Sequence, residues 1–428
     1  MTKAGVDKKT LAWCLYDWAN SAFATTVLAG FFPVFFKEHW SAGADVSLST
    51  FHLGSANSLA SVIIALLAPA LGAIADRGGA KKKFLLFFTA MGVVMTGCLH
   101  LVAKGQWQLA AGVYVAAVVG FYGGNIFYDS LLVAVAEEKR RDFVSALGYS
   151  LGYLGGGLLF TLNIFMTMHP GAFGLAGVEQ AVRVSFLSVA LWWAAFSLPV
   201  MLWVKETKPA HAPSAWRAVG QGLRQLMATL GEVRRLKVVA LFLLGYWLYI
   251  DGVDTVIQMA VDYGLALGFN SKSLLTALLI TQFVGFPATI VFGLLGKRLG
   301  PKAGILIGIG VYLAVSVWGY FMDSENEFYV LAVVIGLVQG GVQSLSRSFY
   351  ARLIPEDKAA EFFGFYNMLG KFAAVLGPFL MGSVSLATGN PRHSILSLGV
   401  LFIGGGIILA VVDDKKGHRL AEDLEGNL

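Results

Sequence analysis

Charge is scarce in this chain. Only 14% of its 428 residues are Asp, Glu, Lys or Arg, against roughly 25% in soluble globular domains. A soluble fold so poor in charge would expose large sticky patches. Cysteine is scarcer: Cys14 and Cys98 are the only two, both within apolar stretches. That excludes a disulfide framework and a cysteine-based metal cluster. The seven histidines share no ligand spacing, so no metal and no cofactor is expected. There is no His-Glu-x-x-His and no acidic metal cluster, which argues against a membrane-embedded enzyme. A phosphate-binding Gly-Lys-Ser/Thr loop is also missing, which argues against an ATP-driven pump. No aromatic-interleaved basic stripe accompanies the net charge of +6, so nucleic acid is not an expected partner.

What fills the chain is apolar sequence: 57% of residues are hydrophobic, with a mean hydropathy of +0.69. Twelve apolar segments stand out, roughly 11–36, 51–75, 84–103, 107–136, 144–168, 180–204, 238–262, 272–296, 302–322, 327–353, 361–387 and 393–412. Each is near the length of about 20 residues that crosses a bilayer as a helix, and in lipid such a segment must satisfy its backbone internally. The basic start, with Lys3, Lys8 and Lys9, precedes an apolar run too long for a signal-peptide core. It is expected to remain as the first membrane helix.

The basic residues fix an orientation. Of 32 Lys and Arg, 25 fall in the termini and the loops on one side, five on the other, and Arg347 and Lys371 within helices. The positive-inside rule then places both termini and the central loop in the cytoplasm. The chain also repeats. Gly72-Ala-Ile-Ala-Asp76-Arg77-Gly-Gly79-Ala-Lys81 has a counterpart in Gly293-Leu-Leu-Gly-Lys297-Arg298-Leu-Gly300-Pro-Lys302, 221 residues later. Residues from Asn125 onward parallel those from Gln343 onward at an offset near 218. The expected organisation is an N-terminal six-helix bundle over 1–204, a cytoplasmic loop over 205–236, and a C-terminal six-helix bundle with a short tail over 237–428.

The Gly72–Lys82 loop resembles the signature loop of the major facilitator superfamily, with Ala80 where an Arg is usual. Further motifs narrow the likeness: Tyr16-Asp17-Trp18-Ala19-Asn20-Ser21-Ala22-Phe23, Gly340-Gly341-Val-Gln343-Ser344-Leu-Ser346-Arg347-Ser348, Leu353-Ile354-Pro355 and Ala360-Glu361-Phe-Phe-Gly364. These resemble the vacuole-effluxer-like branch, which includes the autophagy-linked amino-acid effluxer of fungal vacuoles, and the likeness spans nearly the whole chain. It implies an all-α integral membrane protein of twelve helices in two pseudo-symmetric bundles around a central cavity. It also implies that Gly72, Asp76, Arg77 and Gly79 form a conformational latch that docks near the eleventh helix.

Ionisable groups inside a span are costly and usually face a cavity. Asp17, Asp129, Asp251, Asp254, Arg347 and Lys371 are the candidates. The first five lie on helices one, four, seven and ten, which the resemblance places around the cavity. Tyr16, Asp17 and Asn20 form a polar stripe, as do Asn125 and Asp129, Gln343 and Arg347, and Asp251 and Gln258. Asp129 and Arg347 are equivalent under the repeat and are expected to meet across the halves, as a gate, as part of a solute clamp, or as a staple of the bundle. Asp251 and Asp254 share a helix face, and two close carboxylates disfavour double ionisation, which suggests proton coupling, with Asp17 as a further candidate. Arg347 and Lys371 suit an anionic solute group and the acidic stripes an ammonium. The Gly148–Gly157 run on helix five is read as close helix packing. Trp13, Trp18, Trp40, Trp107 and Trp203 are read as membrane-edge residues.

The expected function is secondary transport of a small polar or zwitterionic, amino-acid-like solute by alternating access across the inner (cytoplasmic) membrane. The expected partners are the solute, a proton gradient and the lipid bilayer, and the chain is expected to act as a monomer. The alternatives are sugar or peptide uptake, drug or lysolipid export, and a non-transporting receptor.

Overall fold

A computed structural model describes residues 7–41, 46–206, 237–414 and 417. The central loop from 207 to 236 lies outside the described residues. The described chain is helical throughout. We number its long helices α1 Lys8–Phe35, α2 Val46–Gly78, α3 Lys81–Cys98, α4 Trp107–Ser130, α5 Arg141–Met168 and α6 Val178–Trp203. After the loop come α7 Lys237–Ala266, α8 Ser271–Leu299, α9 Pro301–Phe321, α10 Glu325–Leu353, α11 Ala359–Thr388 and α12 Pro391–Val411. Among the described residues, 11 helices are long and apolar enough to cross a membrane. The remaining one, α11, spans 30 residues and has a shorter apolar stretch, Leu376–Ser385.

Local chemistry sets the helix ends. The Asp7 carboxylate accepts the Thr10 N–H at 2.8 Å and caps α1, leaving one fewer unpaired donor in the first turn. Ser324 and Glu327 form a reciprocal capping box at the start of α10. Pro301 and Pro391 stand at the first positions of α9 and α12, where a missing N–H costs nothing. The α2–α3 and α8–α9 turns both pass through a glycine at positive φ, Gly79 at 54° and Gly300 at 85°. These are the two copies of the repeated loop, and a Cβ would strain both.

Two regions depart from the sequence expectation. The first helix is not uniformly α: Phe23–Phe31 and Phe36–Trp40 are wound as π-helix. The run expected over 107–136 breaks at Leu131 into the separate turn Leu132–Val135.

Within the first six helices, α1 packs on α5 and α6, and α3 on α4 and α6. Within the last six, α7 packs on α11 and α12, and α10 on α8 and α9. Between the two sets the main contacts are α2 with α11 and α5 with α8, joined by α5 with α10 and α4 with α11. The α2–α11 approach is tight because a Cβ on Gly72 would lie 2.2 Å from the Ala360 carbonyl oxygen. Large apolar side chains such as Leu66, Leu101, Val400 and Val411 stay exposed on the outer surface, as lipid-facing positions do.

Candidate functional site: a buried arginine between two carboxylates

Arg347 projects from α10 and is 1% exposed. Its guanidinium has five N–H donors, and the protein uses all of them. Nε donates to Ser145 Oγ at 2.9 Å, and Nη2 donates to the Ser145 carbonyl at 2.9 Å. Nη1 donates to Asp129 Oδ1 at 3.1 Å and to Asp17 Oδ2 at 3.4 Å, and Nη2 also reaches Asp17 Oδ2 at 3.3 Å. Trp13, Tyr128 and Tyr149 surround it, with ring centroids 4.8, 5.4 and 4.2 Å from its central carbon. These faces suit a cation shielded from water.

The carboxylates are held in turn. Tyr128 OH donates to Asp17 Oδ2 at 2.7 Å, and Asn367 Nδ2 of α11 donates to Asp129 Oδ2 at 3.2 Å. Gly148 of α5 leaves room for Asp17, since a Cβ there would sit 2.7 Å from Oδ2. The expected packing role of that glycine run therefore also shapes the site. One guanidinium faces two carboxylates, so the cluster has a surplus carboxylate when both are ionised. It joins α1, α4 and α5 to α10 and α11.

The other expected residues are distributed around this centre. Asn20 Nδ2 donates to Asn125 Oδ1 at 2.6 Å, and Tyr16 OH pairs with Thr89 Oγ1 at 2.9 Å. Tyr153 OH donates to Gln343 Oε1 at 3.0 Å, one turn before Arg347 on the approach along α10. Asp251 is engaged elsewhere. It is fully buried, and both its oxygens lie 3.0 Å from the backbone N–H of Gly377 in α11. A Cβ on Gly377 would meet Thr255 Oγ1 at 1.9 Å. Asp254 is half-buried, and Gln258 is exposed. The side chains of Lys371 and Arg77 lie outside the described residues.

Asp76 reaches the start of α11. Its oxygens accept the Ala360 and Glu361 N–H groups at 3.2 and 2.8 Å, which are unpaired donors at the start of α11. Lys81 Nζ lies 2.8 Å from Asp76 Oδ1. At the same end, Asp142 of α5 accepts Ser348 Oγ at 2.7 Å and pairs with Arg352. Arg141 pairs with Glu356 and donates to the Ala351 carbonyl at 3.0 Å. This end is bolted shut between the two helix sets.

Several of these residues were not singled out in the sequence. Asp142, Ser145 and Tyr149 lie on one face of α5 at spacings of three and four, a signal obscured by the glycines beside them. Trp13 and Trp40 do not face lipid: both are 0% exposed, and Trp13 stacks on Tyr128 at 4.4 Å. Gly148-Tyr149-Ser150-Leu151-Gly152 has the spelling of a hydrolase nucleophile motif, yet it lies mid-helix. Ser150 Oγ donates to the Phe286 carbonyl at 2.6 Å, and the strand-to-helix elbow that such chemistry needs is not there.

The "Vacuole effluxer Atg22 like" family model matches residues 40–422. An MFS-type transporter of Bacillus subtilis, YxiO, is 39% identical over 422 residues, covering 97% of both chains. Autophagy-related protein 22 of Yarrowia lipolytica is 25% identical, over 86% of this chain and 76% of its own. Among solved structures, the major facilitator transporter FucP in the outward conformation superposes with a TM-score of 0.70 at 13% identity, over 95% of this chain and all of that one. The proton:xylose symporter XylE gives 0.69 at 14% identity, over 96% and 95%. The chain is thus a multi-pass membrane transporter with the major facilitator fold, and it belongs to the Atg22-like vacuole-effluxer family.

Proposed function

We propose that this secondary transporter exports a small polar or zwitterionic solute from the cytoplasm, and that the Asp17–Asp129–Arg347 cluster is both its central lock and its proton-coupling site. The observation that carries this reading is the surplus carboxylate against a buried guanidinium whose donors are all taken. A proton on either carboxylate weakens its hold on Arg347. A solute ammonium does the same by competing for Asp17 or Asp129, and the freed guanidinium fork then suits a solute carboxylate. Either event loosens α10 and α11 from α1, α4 and α5, and the bolted end can part.

That end is the cytoplasmic one on this reading, because the excess of Lys and Arg lies there. The described conformation is then closed to the cytoplasm, with the chain a monomer in the cytoplasmic membrane. The proton coupling stated for XylE supports the driving ion. Asp251, buried on the α11 backbone, remains the second candidate for coupling, with Asp254 beside it.

Purified protein in proteoliposomes, given a panel of amino acids, sugars and short peptides, tests this by solute-driven proton flux. Wild type should couple flux to an amino-acid-like solute, and Asp17→Asn and Asp129→Asn should each lose it. Full flux in both variants, with loss in Asp251→Asn, would move the coupling site to α7.

A further inference from the structure

Away from the bolted end, the interiors of the two helix sets differ. In the first set the space is filled by rings: Phe32 stacks on Tyr114 at 3.7 Å, and Phe121 lies 5.2 Å from Phe23 and 6.1 Å from Trp193. The 218-residue offset that relates Asp129 to Arg347 carries Tyr114 to Ala332 and Phe121 to Gln339. Where the first set has rings, the second has a methyl group and an amide.

The result is a partly open cavity of about 80 Å³ bordered by α7 to α12. By the same kind of measure one water needs roughly 10–15 Å³, so the space exceeds a single solvent molecule. Val256, Met259, Val315, Leu331, Met381 and Leu398 line it, and such walls do not hold water well. Its polar contribution comes from Thr281, Gln282, Gln339 and Tyr263. Thr281 Oγ1 and the Tyr263 hydroxyl are already bonded to backbone carbonyls, at 3.0 and 2.8 Å. The Gln339 amide also meets the Tyr153 hydroxyl, and its remaining hydrogen-bonding capacity, with the Gln282 amide, is what can orient a guest. Gln339 is 6% exposed and lies one turn from Gln343 and two from Arg347 on α10. The cavity thus adjoins the central site through one polar ladder, yet lies inside one helix set and not between the two.

We propose that this chamber binds an alkyl or aryl group carrying one amide-complementary polar atom, with Ala332 setting its size and Gln339 orienting the guest. Two sources offer that chemistry: a side group of the transported solute, or a separate lipophile drawn from the bilayer. The first source rests on the transport reading above, whereas the chamber itself does not.

The test is binding of n-alkyl carboxamides, butanamide through octanamide, to the full chain in nanodiscs by saturation-transfer NMR, with empty nanodiscs as blank. Affinity should climb roughly fourfold per methylene and then break off at the length the chamber holds. Ala332→Phe, which restores the ring of the first set, should lower affinity at least tenfold. Val330→Phe, on the exposed face of the same helix, should leave it unchanged. If Ala332→Phe fails to fold, Gln339→Leu decides: amide affinity should drop several-fold while the length dependence persists. Equal binding in Ala332→Phe and wild type, or no effect of Gln339→Leu, would overturn the site, as would a signal matched by empty nanodiscs. Competition between the carboxamides and the transported solute assigns the chamber to the solute's side group. Simultaneous binding assigns it to a separate lipophile. Loss of proton coupling without loss of carboxamide binding would sink the transport mechanism alone.

Discussion

At the scale of single residues, Arg347 is held by hydrogen bonds to Ser145, Asp17 and Asp129. Buried ion pairs gain little over apolar packing, but removing one partner leaves the other unpaired. Arg347→Ala should therefore cost roughly 3–5 kcal/mol, read as a lowered thermal midpoint in detergent. Adding Asp17→Ala and Asp129→Ala to it should recover part of that loss. Arg347→Lys keeps the charge but loses the planar fork that serves Ser145 and both carboxylates at once, and transport should fall to background. The acidic and basic members of this cluster were legible in the sequence because charges in apolar runs are conspicuous, and the repeat paired Asp129 with Arg347 before any distance was known. Ser145 was not legible. A serine inside a helix carries no marked cost, and its value as an acceptor arises only when α5 meets α10. Asp251 was legible as a carboxylate in a span, but not its contacts with the Thr255 hydroxyl and with the Gly377 N–H, just before Pro378, where proline loosens the ladder of α11.

At the scale of elements, the α2–α11 crossing is held by one carboxylate and one missing side chain. Gly72→Val would drive α2 from the Ala360 carbonyl, and Asp76→Asn would remove the charge that faces Lys81 and the start of α11. Both should raise labelling of cysteines introduced at the bolted end, with Gly72→Val the stronger. The first turn of α1 offers a pH test. Burial raises the Asp7 carboxyl, but hydrogen bonds from Thr10, with Lys9 and Arg140 nearby, bring it below its ordinary value. A lowered folded value stabilises the cap above the unfolded carboxyl range and is lost as pH falls through the folded value. The protection factor of the Thr10 amide, its exchange relative to the unstructured rate at the same pH, should therefore fall in acid, and in Asp7→Ala it should be low at every pH. Hydropathy showed these helices and their order well. It could not show the π-wound stretch Phe23–Phe31, which depends on how α1 seats against α5 and α6.

At the scale of the whole molecule, two helix sets meet around a guanidinium, and one end of the interface is bolted by Asp76, Asp142 and Arg141. Lys83 and Ala172, both exposed, should be labelled from opposite membrane faces when each is replaced by cysteine. The repeat made the pairing of two helix sets legible from the sequence. Which end is shut was not, because closure depends on contacts between residues such as Ser348 and Asp142, 206 positions apart. The filled first set and the hollow second set were likewise hidden until the rings could be seen stacking.

The lock itself is tested most directly by the distance across the bolted end. Spin labels at Lys83→Cys and Asp357→Cys, in a background with Cys14 and Cys98 replaced by serine, report that distance by pulsed electron paramagnetic resonance. Arg347→Ala, or acidification that protonates the cluster, should add a longer population to the wild-type distribution. A distribution unchanged by both would mean that the Asp17–Asp129–Arg347 cluster does not hold the two halves together.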